Sequence, residues 1–241
     1  MTLLDVAGLT KRFGGLQAVS SLDFSVAAGE IVGLIGPNGA GKTTVFHLLA
    51  GFHRPTAGAI HLHGASIVGL KPHAICRRGL ARTFQIVQPF AALSALDNVM
   101  VGAFNRSADV GAARRSAAEI VDFVGLGPRR DAPARSLTLS DRKRLEMARA
   151  LAAEPRCLLL DEPAGGLNPT ETRGLMDLIV RLRDALRLTL IVVEHDMDLV
   201  MGISDRIAVL DHGRKIAEGT PREVANDAAV VDAYLGAADS T

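Results

Sequence analysis

The stretch Gly36-Pro37-Asn38-Gly39-Ala40-Gly41-Lys42-Thr43-Thr44 constrains this chain more than any other. It fits G-x-x-x-x-G-K-[ST]. The apolar run Ile31-Val32-Gly33-Leu34-Ile35 before it has the length of a buried strand, and Thr43 to Ala50 reads as a helix. Glycines there let successive backbone N–H groups turn inward on a phosphate chain, and the helix N-terminus adds its partial positive charge. Lys42 is placed to reach the β- and γ-phosphates of a nucleotide such as ATP, and the Thr43 hydroxyl to ligate Mg²⁺. A glycine-rich turn can match the pattern by accident, but the strand and helix on either side argue against that.

The bulk properties narrow the class. With 241 residues, 48% of them hydrophobic and 22% charged, the chain can bury a sizeable core and reads as ordered and globular. A formal charge of +1, no Trp and a single Tyr give little support for nucleic-acid binding, which wants a basic face and stacking rings. Cys76 and Cys157 are far apart and suggest neither a disulfide framework nor a zinc site. No basic, apolar leader opens the sequence and no apolar run approaches the ~20 residues of a membrane span. The expected location is therefore cytoplasmic, with a partner in the membrane left open.

Taken in order, Leu3 to Leu9 and Leu22 to Val26 read as strands around Phe13-Gly14-Gly15, where the Phe13 ring is either a core residue or a platform for a purine. Ala59 to His63 reads as a strand and Lys71 to Arg78 as a helix opened by Pro72. Leu80 to Phe84 reads as a strand delivering Gln85, by default a surface residue, at its end. From Ser94 to Leu151 the periodicity turns helical, with Asn105 to Ser116 as an irregular or weakly helical connection.

Cys157-Leu158-Leu159-Leu160-Asp161-Glu162 is an apolar strand that stops at two acids, as suits a central parallel strand covered on both faces. Asp161 suits a place beside Mg²⁺ and Glu162 suits polarising an attacking water. Paired acids can instead cap a helix, but Pro163 argues for a loop. Asn168-Pro169-Thr170-Glu171 marks a helix start, and Thr189 to Val193 is another strand, ending at Glu194-His195-Asp196. Arg206 to Leu210 and Arg214 to Ala217 flank Asp211-His212-Gly213 as a hairpin, and Thr220-Pro221 starts a further helix. Gln85, Glu162 and His195 thus all stand at strand ends, where open α/β sheets carry their chemistry.

This order of parts resembles the ATP-binding subunits of ABC transporters over nearly the whole length. Gly36 to Thr44 matches the family's Walker A loop, Cys157 to Glu162 its Walker B strand with the catalytic glutamate, Gln85 its Q-loop and His195 its switch histidine. Phe13 stands where the family places an adenine-stacking aromatic, and Thr138 and Ser140 lie in the signature segment. The resemblance implies a P-loop α/β core with an N-terminal antiparallel β subdomain and an inserted helical subdomain. Residues 1–93 and 154–241 would form the first two and residues 94–153 the third. It also implies ATP and Mg²⁺ as cofactors, Thr43, Gln85 and Asp161 around the metal, and Glu162, His195 and Gln85 in catalysis.

Two motifs depart from the family pattern. The signature Leu137-Thr138-Leu139-Ser140-Asp141 keeps a hydroxyl at Thr138 but has Ser140 where glycine is usual, so a Cβ is expected to restrict the backbone and crowd a phosphate. Asn168 stands where an aspartate is common. In this family two subunits pack head to tail, each signature completing the other's nucleotide site, so a heterodimer with unequal sites is expected and a homodimer is the alternative. Arg82-Thr83-Phe84-Gln85, Glu162 to Pro169, Val193 to Met197 and Ala233-Tyr234-Leu235-Gly236 resemble the ATPases of branched-chain amino acid importers. The partners implied are a second ATPase subunit, transmembrane permeases and, indirectly, an extracytoplasmic solute-binding protein, without nucleic acid. Urea or short-chain amide importers and lipopolysaccharide exporters have similar ATPases. A soluble ABC-type ATPase and a P-loop kinase are remoter readings.

Overall fold

The computed structural model describes residues 1–84 and 88–238. Its centre is a set of short strands whose every residue is buried: β3 (Ile31–Ile35), β7 (Cys157–Asp161) and β8 (Thr189–Val193). Because side chains alternate across a strand, each run supplies both faces of the sheet. Ile31, Ile35, Leu158, Leu160, Leu190 and Val192 enter one core. Val32, Leu34, Cys157, Leu159, Ile191 and Val193 enter the other. With β6 (Leu80–Arg82), β9 (Arg206–Asp211) and β10 (Arg214–Gly219) they form a six-stranded sheet of order β10-β9-β3-β8-β7-β6. All its pairings are parallel except the β9–β10 hairpin.

The second core is closed by an antiparallel sheet of order β2-β1-β4-β5, built from β1 (Thr2–Phe13), β2 (Leu16–Ala27), β4 (Ala57–Leu62) and β5 (Ala65–Ser66). Between the sheets lies α1 (Lys42–Leu49), which buries Val45, Phe46, Leu48 and Leu49. The first core is closed by α3 (Ala95–Ala103), α4 (Val110–Phe123) and α5 (Leu139–Leu151), together with α6 (Pro169–Leu186) and α7 (Met197–Ile203). Short α2 (Pro72–Arg77) precedes β6, while α8 (Pro221–Ala225) and α9 (Ala228–Ala238) follow β10. The α/β architecture with an antiparallel β layer and a helical insertion is the one expected.

Several boundaries differ from those read in the sequence. The first two strands run to Phe13 and from Leu16, because they pair through to Phe13↔Leu16 and only Gly14-Gly15 turns. The Asn105–Ser116 connection contains a regular helix start. Asp109 caps α4 by accepting the Ala112 N–H at 2.5 Å, and Ala113, Ala117 and Val121 form a narrow buried stripe. Small residues there allow close packing and hide the amphipathic signal. Strand β6 stops at Arg82 and β7 at Asp161, so Phe84 and Glu162 lie beyond the ladders.

The sequence-level helix start at Asn168 is realised in full. Asn168 Oδ1 accepts the Thr170 and Glu171 N–H groups at 3.0 Å, and Glu171 Oε2 accepts the Asn168 N–H at 3.0 Å. Asn168→Ala is expected to destabilise the protein by about 1 kcal/mol, the ordinary worth of such a cap. Thermal or urea unfolding with an unchanged midpoint would show that α6 is held by packing alone.

Candidate functional site

Parallel register brings the site together. Ile35 pairs with Val209, Leu34 with Val193, and Val193 with Asp161, so β3, β8 and β7 end level with one another. The loops that leave these ends carry Gly36 to Gly41, Glu162-Pro163 and Glu194-His195. Strand β3 sits between β8 and β9, so the phosphate loop opens at the point where the chain's strand order reverses, the usual ligand crevice of an open α/β sheet.

The loop has the form its glycines require. Gly36 has φ 146° and a Cβ there would lie 2.0 Å from the Leu210 carbonyl oxygen; Gly41 has φ 102° and a Cβ would lie 2.5 Å from that of Ala18. Lys42 opens α1 and is buried, its Nζ donating to the carbonyls of Gly36 at 2.6 Å and Pro37 at 2.9 Å. Burial lowers its pKa, and the negative charges of Glu162 and Asp161 pull it back up. Pro37, Asn38, Gly39 and Ala40 complete the loop before α1, and Thr44 follows Thr43 in the first turn of that helix.

Thr43 and Asp161 line one cleft of about 500 Å³ with His47, Arg82, Phe84, Gln88, Glu146 and Arg149. The hydroxyl of Thr43 and the carboxylate of Asp161 are hard oxygen donors, which suits Mg²⁺. Among the described residues no cluster of three His, Cys, Asp or Glu side chains is poised to hold a metal. A Mg²⁺ here would thus take its other ligands from phosphate and water, as it commonly does. Gln85, the third expected metal contact, lies outside the described residues.

Glu162 and His195 meet across two loops, with Nε2 of His195 3.1 Å from Oε1 of Glu162. A carboxylate only accepts, so this pairing selects the imidazole tautomer with its proton on Nε2. Glu162 has φ 46°, a left-handed conformation that costs a non-glycine residue roughly 1–2 kcal/mol. Its backbone is gripped at both ends: the N–H donates to Val193 O at 2.8 Å, and the carbonyl accepts from Lys143 Nζ at 2.9 Å. Buried Glu194 ties the two loops, accepting the Ala164 N–H at 2.6 Å and the His195 N–H at 3.1 Å. Burial raises its pKa against those hydrogen bonds.

The remaining expected residues stand apart. Phe13 is exposed, edge-on to His53 at 5.2 Å with Lys11 Nζ 4.8 Å from its ring centre. Thr138 is the N-cap of α5, its hydroxyl donating to Asp141 Oδ2 at 2.9 Å and accepting the Asp141 N–H at 3.2 Å. That hydroxyl is engaged within its own turn. Ser140 lies in the first turn of α5 and is not among the residues of positive φ, so its Cβ sits on ordinary helical backbone.

Sequence reasoning gave no role to Arg82, Lys143, Glu146 or Glu194. Each is nearly buried beside the site. A charged residue in an apolar helical face, as with Glu146 in Leu145-Glu146-Met147, was the available signal. Glu146 Oε1 accepts the Phe84 N–H at 2.5 Å and joins α5 to the end of β6. Burial pushes its carboxyl up to about 7, against the downward pull of that N–H and of Lys143 and Arg149. At this carboxyl the folded chain therefore binds more proton than the unfolded one between about 4.5 and about 7. The stabilisation is full below that window and is lost as pH rises through it. Glu146→Gln keeps the acceptor and is expected to make the fall in thermal stability across this window shallower; an identical pH slope in wild type and variant would remove Glu146 as a source.

Comparison with known proteins agrees with this geometry. Residues 19–165 match the ABC transporter family model, and residues 214–240 match that of the branched-chain amino acid ATP-binding cassette transporters. The chain is 45% identical to the high-affinity branched-chain amino acid transport ATP-binding protein LivG of Salmonella typhimurium, over 98% of both chains. It is 44% identical to the corresponding protein BraF of Pseudomonas aeruginosa, again over 98% of both. The ADP conformation of MJ1267, an ATP-binding cassette of an ABC transporter, superposes with a TM-score of 0.89 at 28% identity, covering 98% of this chain and 99% of that one. A loop built for a nucleotide's phosphates, acids level with it on the neighbouring strands and relatives aligned from end to end converge on one assignment: the chain belongs to the ABC transporter family, as an ATP-binding and ATP-hydrolysing cassette.

Proposed function

We propose that this ATPase powers a membrane importer for branched-chain amino acids. The observation that carries the substrate class is the match of residues 214–240, which lie outside the ATPase motifs, to the branched-chain amino acid cassette family. End-to-end similarity to LivG and BraF supports the same reading.

In this reading Gly39, Gly41 and Lys42 hold the phosphates, and Lys42 exchanges its loop carbonyls for phosphate oxygens. Thr43, Asp161 and Gln85 would hold a Mg²⁺ bound with the nucleotide, which would neutralise charge on the phosphate oxygens. Glu162 orients the attacking water and takes up its proton, while His195 fixes the carboxylate through the 3.1 Å contact and reaches toward the γ-phosphate. Phe13 offers a ring face to adenine. Thr138 and Ser140 face the nucleotide of a second ATPase subunit, and the engaged Thr138 hydroxyl supports pairing with an unlike subunit whose signature is ordinary.

A membrane partner is supported by the surface between the core and the helical insertion. Exposed Phe52, Phe84 and Val101 line a groove of about 330 Å³ there. No helix of the described residues is long and apolar enough to cross a membrane; in this reading permease subunits form the transport path and this chain docks at their cytoplasmic side.

Glu162→Gln is expected to bind ATP within a few-fold of wild type while turnover falls roughly 10²–10⁴-fold, the usual worth of a general base. Unimpaired hydrolysis in that variant would dismiss Glu162 from the role. Substrate and subunit pairing are tested together in vesicles containing the permeases, this chain and its co-purifying ATPase. ATP-driven uptake of leucine, isoleucine and valine is expected, with unequal single-site turnover at the two nucleotides. Uptake of urea alone would replace the substrate reading, and equal rates would count against unlike sites.

A further inference from the structure

We infer that Arg82 is the resident counter-ion of Asp161, a protein cation that occupies this carboxylate and lowers its affinity for a divalent ion. The inference rests on Asp161 being the metal-site acid proposed above.

Arg82 closes β6 one strand away from Asp161, and the two side chains are 6% and 2% exposed. Nη2 of Arg82 donates to Oδ2 of Asp161 at 2.6 Å. Its Nε and Nη1 are buried with no acceptor among the described residues. What surrounds the guanidinium instead is aromatic: its central carbon lies 5.7 Å from the ring centre of Phe46, 5.8 Å from Phe52 and 5.5 Å from Phe84. Three ring faces hold a desolvated cation through their quadrupoles, leaving one carboxylate as its only partner of opposite charge in hydrogen-bond contact among the described residues.

A device for joining strands does not explain this arrangement. Strands β6 and β7 are already paired through Arg82↔Leu159, and the Thr83 N–H adds a bond to Leu159 O at 2.9 Å. Buried ion pairs of this kind seldom stabilise a fold more than apolar residues of the same volume. The consequence that remains is electrostatic. A unit positive charge bonded to Oδ2 holds the carboxylate in one orientation when no metal is present, and repels a divalent ion approaching the same group. Even at water-like screening such a charge weakens divalent binding by about tenfold. The cage also answers to the helical insertion, since Phe84 is held by Glu146 of α5.

The test compares the Kd of the full chain for a fluorescent ADP in EDTA and in saturating Mn²⁺. By linkage, the ratio of the two reports how strongly the protein holds the metal with the nucleotide. Arg82→Met is expected to raise this ratio about tenfold, and Arg82→Lys to leave it within about threefold of wild type. Asp161→Asn is expected to lower it. Should Arg82→Met fail to fold, Arg82→Gln removes the charge while keeping a donor and carries the same expectation. A ratio unchanged or lowered on loss of the Arg82 charge, with Asp161→Asn lowering it, overturns the counter-ion role alone. A ratio unmoved by Asp161→Asn overturns the metal-site reading beneath it.

Discussion

Burial of both faces of β3, β7 and β8 is the constraint on which the molecule depends. A parallel strand covered on both sides has no polar face, so its side chains divide between two cores and its polar chemistry is pushed to its ends. The antiparallel β layer with α1 fills one core and the helical insertion with α6 and α7 fills the other. Level register then places the three C-terminal ends on one edge. The phosphate loop, the acids Asp161 and Glu162, and His195 are neighbours because the hydrophobic core leaves their strands no other offset.

The same packing explains why so many charges lie buried beside the site. Lys42, Arg82, Lys143, Glu146, Asp161 and Glu194 sit where the two cores meet the loops. Burying an unpaired charge is prohibitive, so each is committed to a specific acceptor or donor. Lys143 and Glu194 grip the backbone on either side of Glu162, and Glu146 grips that of Phe84. These bonds offset the left-handed strain at Glu162 and hold its carboxylate against His195. Two of the grips come from α5, the helix that begins at the signature segment. Displacement of that helix would therefore be felt directly at the backbone of Glu162 and Phe84.

What was legible in the sequence was local. The all-apolar strands, the glycine loop and the Asn168 capping box depend on residues within a few positions of each other, and the structure reproduces them. The long N-terminal hairpin and α4 were read short or irregular, because cross-strand pairing and alanine packing leave weak periodic traces. Arg82, Glu146 and Glu194 passed without a role for a different reason. Their partners Asp161, Phe84 and Ala164 are 79, 62 and 30 residues away, so no motif window contains both members of a pair.

The chain's chemistry was thus present in its sequence: a phosphate loop, two acids at a strand end and a histidine at the next. Their order along the chain and the apolar runs before them determined a nucleotide-hydrolysing α/β core. Tertiary structure decided how those groups are held. It set Glu162 in a left-handed turn and put an arginine in a phenylalanine cage on Asp161. Such outcomes follow from burial and register over tens of residues, where the cost of an unsatisfied charge, rather than the preference of any short segment, selects the partner.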